Sequence, residues 1–150
     1  MPNIEVRRPT HDELATVQQL RHEVLDPARV IDEDHELGPQ DFLGDTIHMA
    51  AFLDSTIVGT VRLDLVKPTP PTYEVRKMAV DPAYRKRGIG KSVLRAALLE
   101  IEQTEGNVVT LDSRESAVPF FESLGFELTG ERIVHADGVP NYVMTYTAVT

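Results

Sequence analysis

The stretch from Tyr73 to Ile101, YEVRKMAVDPAYRKRGIGKSVLRAALLEI, constrains the fold of this chain more than any other. Residues 73–80 are β-branched, aromatic and apolar enough to predict a strand. Asp81-Pro82 stops it, because proline has no N–H for a ladder and restricts the residue before it. From Ile89 the apolar positions are Ile89, Val93, Leu94, Ala97, Leu98 and Ile101. That spacing paints one face of a helix, predicted over residues 88–104. Between strand and helix lies Arg85-Lys86-Arg87-Gly88-Ile89-Gly90.

This junction has the chemistry of an anion site. A helix N-terminus leaves its first N–H groups unpaired and carries the positive end of the dipole, and a phosphate satisfies both. Gly88 and Gly90 keep side chains out of the way of an approaching anion. Arg85, Lys86, Arg87 and Lys91 add positive charge, with no acidic residue between Tyr84 and Lys91. The bland alternative is a solvated basic helix cap. A nucleotide P-loop is a third reading, since Gly90-Lys91-Ser92 matches its second half, but its first glycine would fall on Arg85. The P-loop fails there.

Composition narrows the class of molecule. A length of 150 residues predicts one domain over 1–150, large enough for a real core. With no cysteine there is no disulfide, thiolate nucleophile or cysteine metal site. No run approaches the ~18 apolar residues of a membrane span, and Met1 to Arg8 has no signal-peptide core, so a cytoplasmic protein without a membrane partner is expected. A net charge of −9 repels nucleic acid unless a basic face is concentrated somewhere. The dense basic run is 85–91, with few aromatics for base stacking, which suits one small polyanion better than a nucleic-acid backbone. No nucleic-acid partner is expected, and a homodimer stays open.

Along the chain, Ile4–Arg8 is a strand candidate, and Thr10-His11-Asp12-Glu13 has capping-box form ahead of a helix through Leu14, Val17, Leu20 or Arg21, and Val24. Residues 26–45 carry seven acidic residues against Arg29. They form either a solvated acidic surface or a lid that draws in a cationic acceptor. His35 lies among them without metal-ligand spacing, and no metal is expected. Residues 46–53 and 57–66 are strands around a turn at Asp54-Ser55-Thr56, and residues 67–72 form a proline-rich, extended connection. Val108–Leu111 is a strand parallel to 73–80, because a helix crossover joins them. A second helix is capped by Ser113 or Ser116 and ended by Gly125. Strands at 126–135 and 139–146 then flank Asp137-Gly138, a type I′ hairpin signal.

Arg85-x-x-Gly88-x-Gly90, set between a strand ending Met78-Ala79-Val80 and an amphipathic helix, resembles the acetyl-CoA site of the GNAT superfamily of N-acetyltransferases. Leu111 to Phe126, LDSRESAVPFFESLGF, is similar to the second signature of that family. The two blocks and the spacing between them are specific; they cover roughly a third of the chain, and the order of the other elements agrees. The resemblance implies an α/β (α+β) fold: a mixed, mostly antiparallel sheet with a central parallel strand pair and helices on both faces. It also implies acetyl-CoA as co-substrate and an amine as acceptor. The pantetheine arm would pair with the strand at Met78, Ala79 and Val80. The pyrophosphate would lie on Arg85, Lys86, Arg87, Gly88, Ile89, Gly90 and Lys91.

Acetyl transfer needs a neutral amine, so a base must take a proton from the ammonium form. Glu74 lies four residues before Met78, and strand alternation places both on one face. It matches the general-base position of some acetyltransferases of the family, the histone-type among them. An exposed glutamate pairing with Arg76 is the structural alternative. The second signature departs from the family pattern twice. Arg114 stands where asparagine is usual, able to reach a CoA phosphate or pantetheine carbonyl, and Phe121 stands where tyrosine is usual. Phe121 has no proton to donate; Tyr84, Tyr142 and Tyr146 are alternative hydroxyls, and the spacing selects none of them. Two functions follow, an acetyl-CoA-dependent N-acetyltransferase and a CoA-binding sensor or interaction module without turnover.

Overall fold

A computed structural model of the chain describes residues 4–25, 46–103, 107–134 and 136–148. The acidic segment 26–45, with its two readings as surface or lid, lies outside the described residues. In chain order the elements are β1 (Ile4–Arg7), α1 (Leu14–Leu25), β2 (Ile47–Leu53), β3 (Thr56–Pro68), β4 (Pro71–Val80) and α2 (Ile89–Ile101). They continue as β5 (Val108–Arg114), α3 (Val118–Glu122), β6 (Glu127–Val134) and β7 (Pro140–Thr147). The strands form one mixed sheet in the order β1-β2-β3-β4-β5-β7-β6. Its parallel pair is β4–β5, as a helical crossover requires. The described residues group into two compact units, Met1–Asp64 with Arg76–Glu100, and Leu65–Val75 with Ile101–Thr150.

In the first unit the capping box ahead of α1 is formed: Glu13 Oε1 accepts from the Thr10 N–H at 2.7 Å. The Arg7 guanidinium also donates to Glu13, at 2.8 and 3.1 Å, and holds its carboxyl down at about 2. One face of α1 is apolar; Val17 and Leu20 pack on Ala50, Phe52 and Ile57. Between β2 and β3 the turn is tighter than the three-residue turn expected. Leu53 pairs with Thr56, and Asp54 (φ 47) and Ser55 (φ 73) take the left-handed conformation of a type I′ turn.

The opposite face of the same strands receives α2. Ala50 pairs with Thr60 and Ala51 with Gly59, so Gly59 points away from α1. A Cβ on Gly59 would lie 2.6 Å from Ile89 Cγ2 and 3.6 Å from Val93 Cγ2. The first turn of α2 therefore sits where it does because position 59 has no side chain. Ile89, Val93, Leu94, Ala97 and Leu98 are all buried, the face the periodicity predicts. Gly59→Ala should cost ~1–3 kcal/mol of overpacking, a fall of about 2–4 °C in Tm per kcal/mol. Thermal melts in an Ile89→Ala background check the cause: there the Gly59→Ala penalty should vanish, and an unchanged penalty refutes the contact.

In the second unit β4 and β5 run parallel with Thr72, Tyr73 and Glu74 opposite Val108, Val109 and Thr110. The proline-rich connection is not an extended spacer. β3 runs to Pro68 and β4 starts at Pro71, leaving only a tight turn at Thr69-Pro70 between them. β5 reaches Arg114, so Ser113 lies in the strand, donating to the Arg114 carbonyl at 2.8 Å. Ser116 falls inside a short 3-10 turn, Glu115–Ala117, and neither serine caps α3, whose N-cap is Ala117. At its other end α3 closes as expected on Gly125 (φ 98). Gly125 N–H donates to Glu122 at 3.0 Å and Phe126 N–H to Phe121 at 3.2 Å, the paired bonds of a Schellman motif. The two-residue turn expected at Asp137-Gly138 is also wider: Val134 pairs with Pro140. There the Asp137 carboxylate takes the Val139 N–H at 2.9 Å, an Asx turn that competes with the tighter hairpin.

Candidate functional site

The turn between β4 and α2 is built from short-range constraints. Asp81 N–H donates to the Val58 carbonyl at 2.9 Å, which ties the end of β4 to β3. The Asp81 carboxylate then accepts from the Ala83 N–H at 2.9 Å and caps the 3-10 turn Pro82–Tyr84. Beyond it the backbone alternates in hand. Lys86 (φ 64) and Gly88 (φ 77) are left-handed on either side of Arg87. Such alternation turns successive N–H groups toward one concavity, an anion nest. Around the position a Gly88 side chain would occupy there is open space within 4 Å, so glycine is needed for its φ, not for crowding.

The helix starts at once. Ser92 N–H donates to Gly88 carbonyl at 3.0 Å, which makes Gly88 the N-cap and places Ile89, Gly90 and Lys91 in the first turn. Ile89 is buried against Gly59, Gly90 and Lys91 are half-buried, and Arg85, Lys86 and Arg87 are exposed. Arg87 lies over the Tyr84 ring, 5.5 Å from its centroid. Cations, nest and open helix end thus converge on one exposed turn of an acidic chain.

Upstream, β4 is not a uniform strand. Lys77 has φ 51. A left-handed residue cannot keep both flanking peptides in a regular ladder, and it interrupts alternation as a bulge does. The period-two count that placed Glu74 and Met78 on one face therefore does not carry through Lys77. Met78, Ala79 and Val80 follow it in the first unit, with Ala79 buried.

Glu74, Arg114 and Phe121 belong to the second unit. Glu74 is half-buried beside Thr110. Arg114 is exposed and pairs with Asp137 at 3.0 Å, so its guanidinium already serves a carboxylate. Phe121 packs edge-on against Phe120 and Phe126, with centroids 5.1 and 5.9 Å away, and supplies the apolar contact of the Schellman motif. Its ring has a packing reason that sequence reasoning missed. Of the alternative hydroxyls, Tyr142 lines a 300 Å³ cavity with Glu115, Val118, Pro119 and Leu128. Tyr146 donates to Glu102, and burial, then that hydrogen bond, push its phenol up to about 12.

A phenol raised in the folded state favours folding fully below its ordinary value of 10.0, and that contribution is lost as pH rises toward about 12. An ultraviolet titration should therefore show one of the four tyrosines ionising late. Tyr146→Phe should remove that late step and flatten the alkaline loss of stability. A titration in which all tyrosines ionise together refutes the Tyr146–Glu102 bond.

The family model for an acetyltransferase (GNAT) domain matches residues 16–148. The chain belongs to the GNAT acetyltransferase family. Among relatives it is 35% identical over 103 residues to the N-alpha-acetyltransferase RimI of Mycobacterium tuberculosis, a match covering 65% of this chain and 63% of that protein. The chain thus spans just under two thirds of that relative's length. The fold agrees with that of an aminoglycoside 6'-N-acetyltransferase complexed with coenzyme A, at TM-score 0.82 and 16% identity over 97% of this chain and 98% of that one. Escherichia coli ElaA is similar too, at TM-score 0.79 and 19% identity over 97% and 99% of the two chains. This GNAT chain has no His, Asp or Glu group suited to a metal among its described residues. No helix among them is long and apolar enough to cross a membrane.

Proposed function

We propose that this chain is an acetyl-CoA-dependent N-acetyltransferase acting on a primary amine of a small molecule or peptide. The observation that carries it is the turn from Arg85 to Lys91, where the alternating backbone, the open N-terminus of α2 and the exposed cations converge. The pyrophosphate of acetyl-CoA lies on the N–H groups of that turn, because a helix end and a nest both favour negative charge. The pantetheine arm runs along Met78, Ala79 and Val80. The names of the relatives, an N-alpha-acetyltransferase and an aminoglycoside acetyltransferase, support an amine acceptor.

In the reaction, Glu74 takes a proton from the bound ammonium, directly or through water. The freed nitrogen lone pair attacks the thioester carbon. Developing negative charge on the carbonyl oxygen is met by a backbone N–H, with that of Met78 the candidate beside the Lys77 irregularity. The C–S bond then breaks, and the CoA thiolate leaves and takes, through water, the proton that the acetylated nitrogen gives up. A thiolate of pKa ~8.5 is a tolerable leaving group near neutral pH. Phe121 therefore does not prevent turnover.

A second reading keeps a specific observation: Phe121 has no hydroxyl, and the hydroxyl of Tyr146 is committed to Glu102. It makes the chain a CoA-binding module without turnover. Thioester consumption with a panel of peptide N-termini, aminoglycosides and simple amines separates the two. Turnover is expected for at least one amine, with Phe121→Tyr changing kcat by less than about tenfold, a barrier change of ~1.4 kcal/mol. A wild type that binds acetyl-CoA yet acetylates nothing, joined to an active Phe121→Tyr variant, establishes the module instead.

A further inference from the structure

We infer that Arg87, held over the ring of Tyr84, reads the 3′-phosphate at the nucleotide end of coenzyme A, and that Tyr84 is its positioning residue. The inference rests on the cofactor reading above and divides the labour among the cations of one turn. Arg87 is the residue between the two left-handed positions Lys86 and Gly88, and its side chain is exposed. Its guanidinium stands 5.5 Å from the Tyr84 centroid, so it is drawn to the 3-10 turn Pro82–Tyr84. The backbone N–H groups of the nest and the first helical turn remain for another group.

The phosphates of CoA differ in the same way. The two of the pyrophosphate each carry one ester and one anhydride bond and a single charge, and suit backbone N–H donors at a helix end. The 3′-phosphate is a monoester with a charge of about −1.5 to −2 at pH 7 and three terminal oxygens. A planar guanidinium fork matches that group with two parallel hydrogen bonds, which an ammonium does not. A guanidinium facing an aromatic ring keeps its in-plane N–H groups free for such bonds. The ring also removes part of the entropy that a free arginine side chain would lose on binding. Tyr84 is half-buried, which fixes the platform while leaving Arg87 in solvent.

The test is calorimetric titration with CoA and with 3′-dephospho-CoA at about 0.15 M salt, where screening acts within ~8 Å. Wild type should prefer CoA by about 10- to 100-fold, the range of a charged hydrogen-bond pair. Arg87→Ala should remove most of that preference, weakening CoA by a clearly larger factor than dephospho-CoA. Arg85→Ala, which deletes an equal charge from the same turn, should weaken both nucleotides together. Tyr84→Phe keeps the ring face and should keep the preference; Tyr84→Leu keeps apolar bulk and should lower it about two- to fivefold, the scale of an exposed cation–π contact. Arg87→Lys keeps charge but not the fork and should behave as a partial loss. Arg87 is exposed, so its variants stay folded whatever becomes of Tyr84→Leu. If Arg85→Ala and Arg87→Ala weaken the two nucleotides by the same factors, or wild type binds both equally, the inference is wrong and the cofactor reading stands. If wild type binds neither, the cofactor reading itself is wrong.

Discussion

Replacing Gly90 by glutamate is expected to abolish coenzyme A binding while the protein stays folded. Gly90 lies in the first turn of α2, directly after the N-cap Gly88 and the buried Ile89. A glutamate there places a carboxylate, and its bulk, where the pyrophosphate approaches the N–H groups. Two like charges ~4 Å apart at an effective dielectric of ~20 repel by about 4 kcal/mol, close to a thousandfold in affinity. The same substitution is kind to the helix, since an acidic side chain near an N-terminus gains ~0.3–1 kcal/mol from the dipole. Circular dichroism and Tm should therefore stay near wild type while calorimetry shows binding lost. Retained CoA affinity in this variant, or a wild type that never binds CoA, removes the central claim about the turn.

The other large effect concerns the base. Glu74→Gln preserves shape but removes the proton acceptor, and kcat/KM should fall by ~10²-fold or more, the lower range for general base catalysis. CoA affinity should not change, because Glu74 acts on the acceptor amine and is not among the residues 78–80 and 85–91 that hold the cofactor. Equal rates for wild type and Glu74→Gln across the acidic range would leave Glu74 as a strand charge beside Thr110.

The sequence by itself determined whatever short-range physics controls. Proline after Asp81 stopped β4, and apolar spacing chose the buried face of α2. The parallel pairing of β4 and β5 followed from a helix placed between two strands. Gly125 closed α3 for the same local reason. Ile89 lies thirty positions on from Gly59, and only packing of α2 on the sheet brings them together. In the same way, the insertion of β7 between β5 and β6, the ion pair of Arg114 with Asp137, and the aromatic cluster around Phe121 join residues from different elements. Local preference fixes what each residue can do to its neighbours in the chain. Which distant side chain it meets is settled by the burial of whole faces, and that free energy exists only once the sheet and its helices have packed.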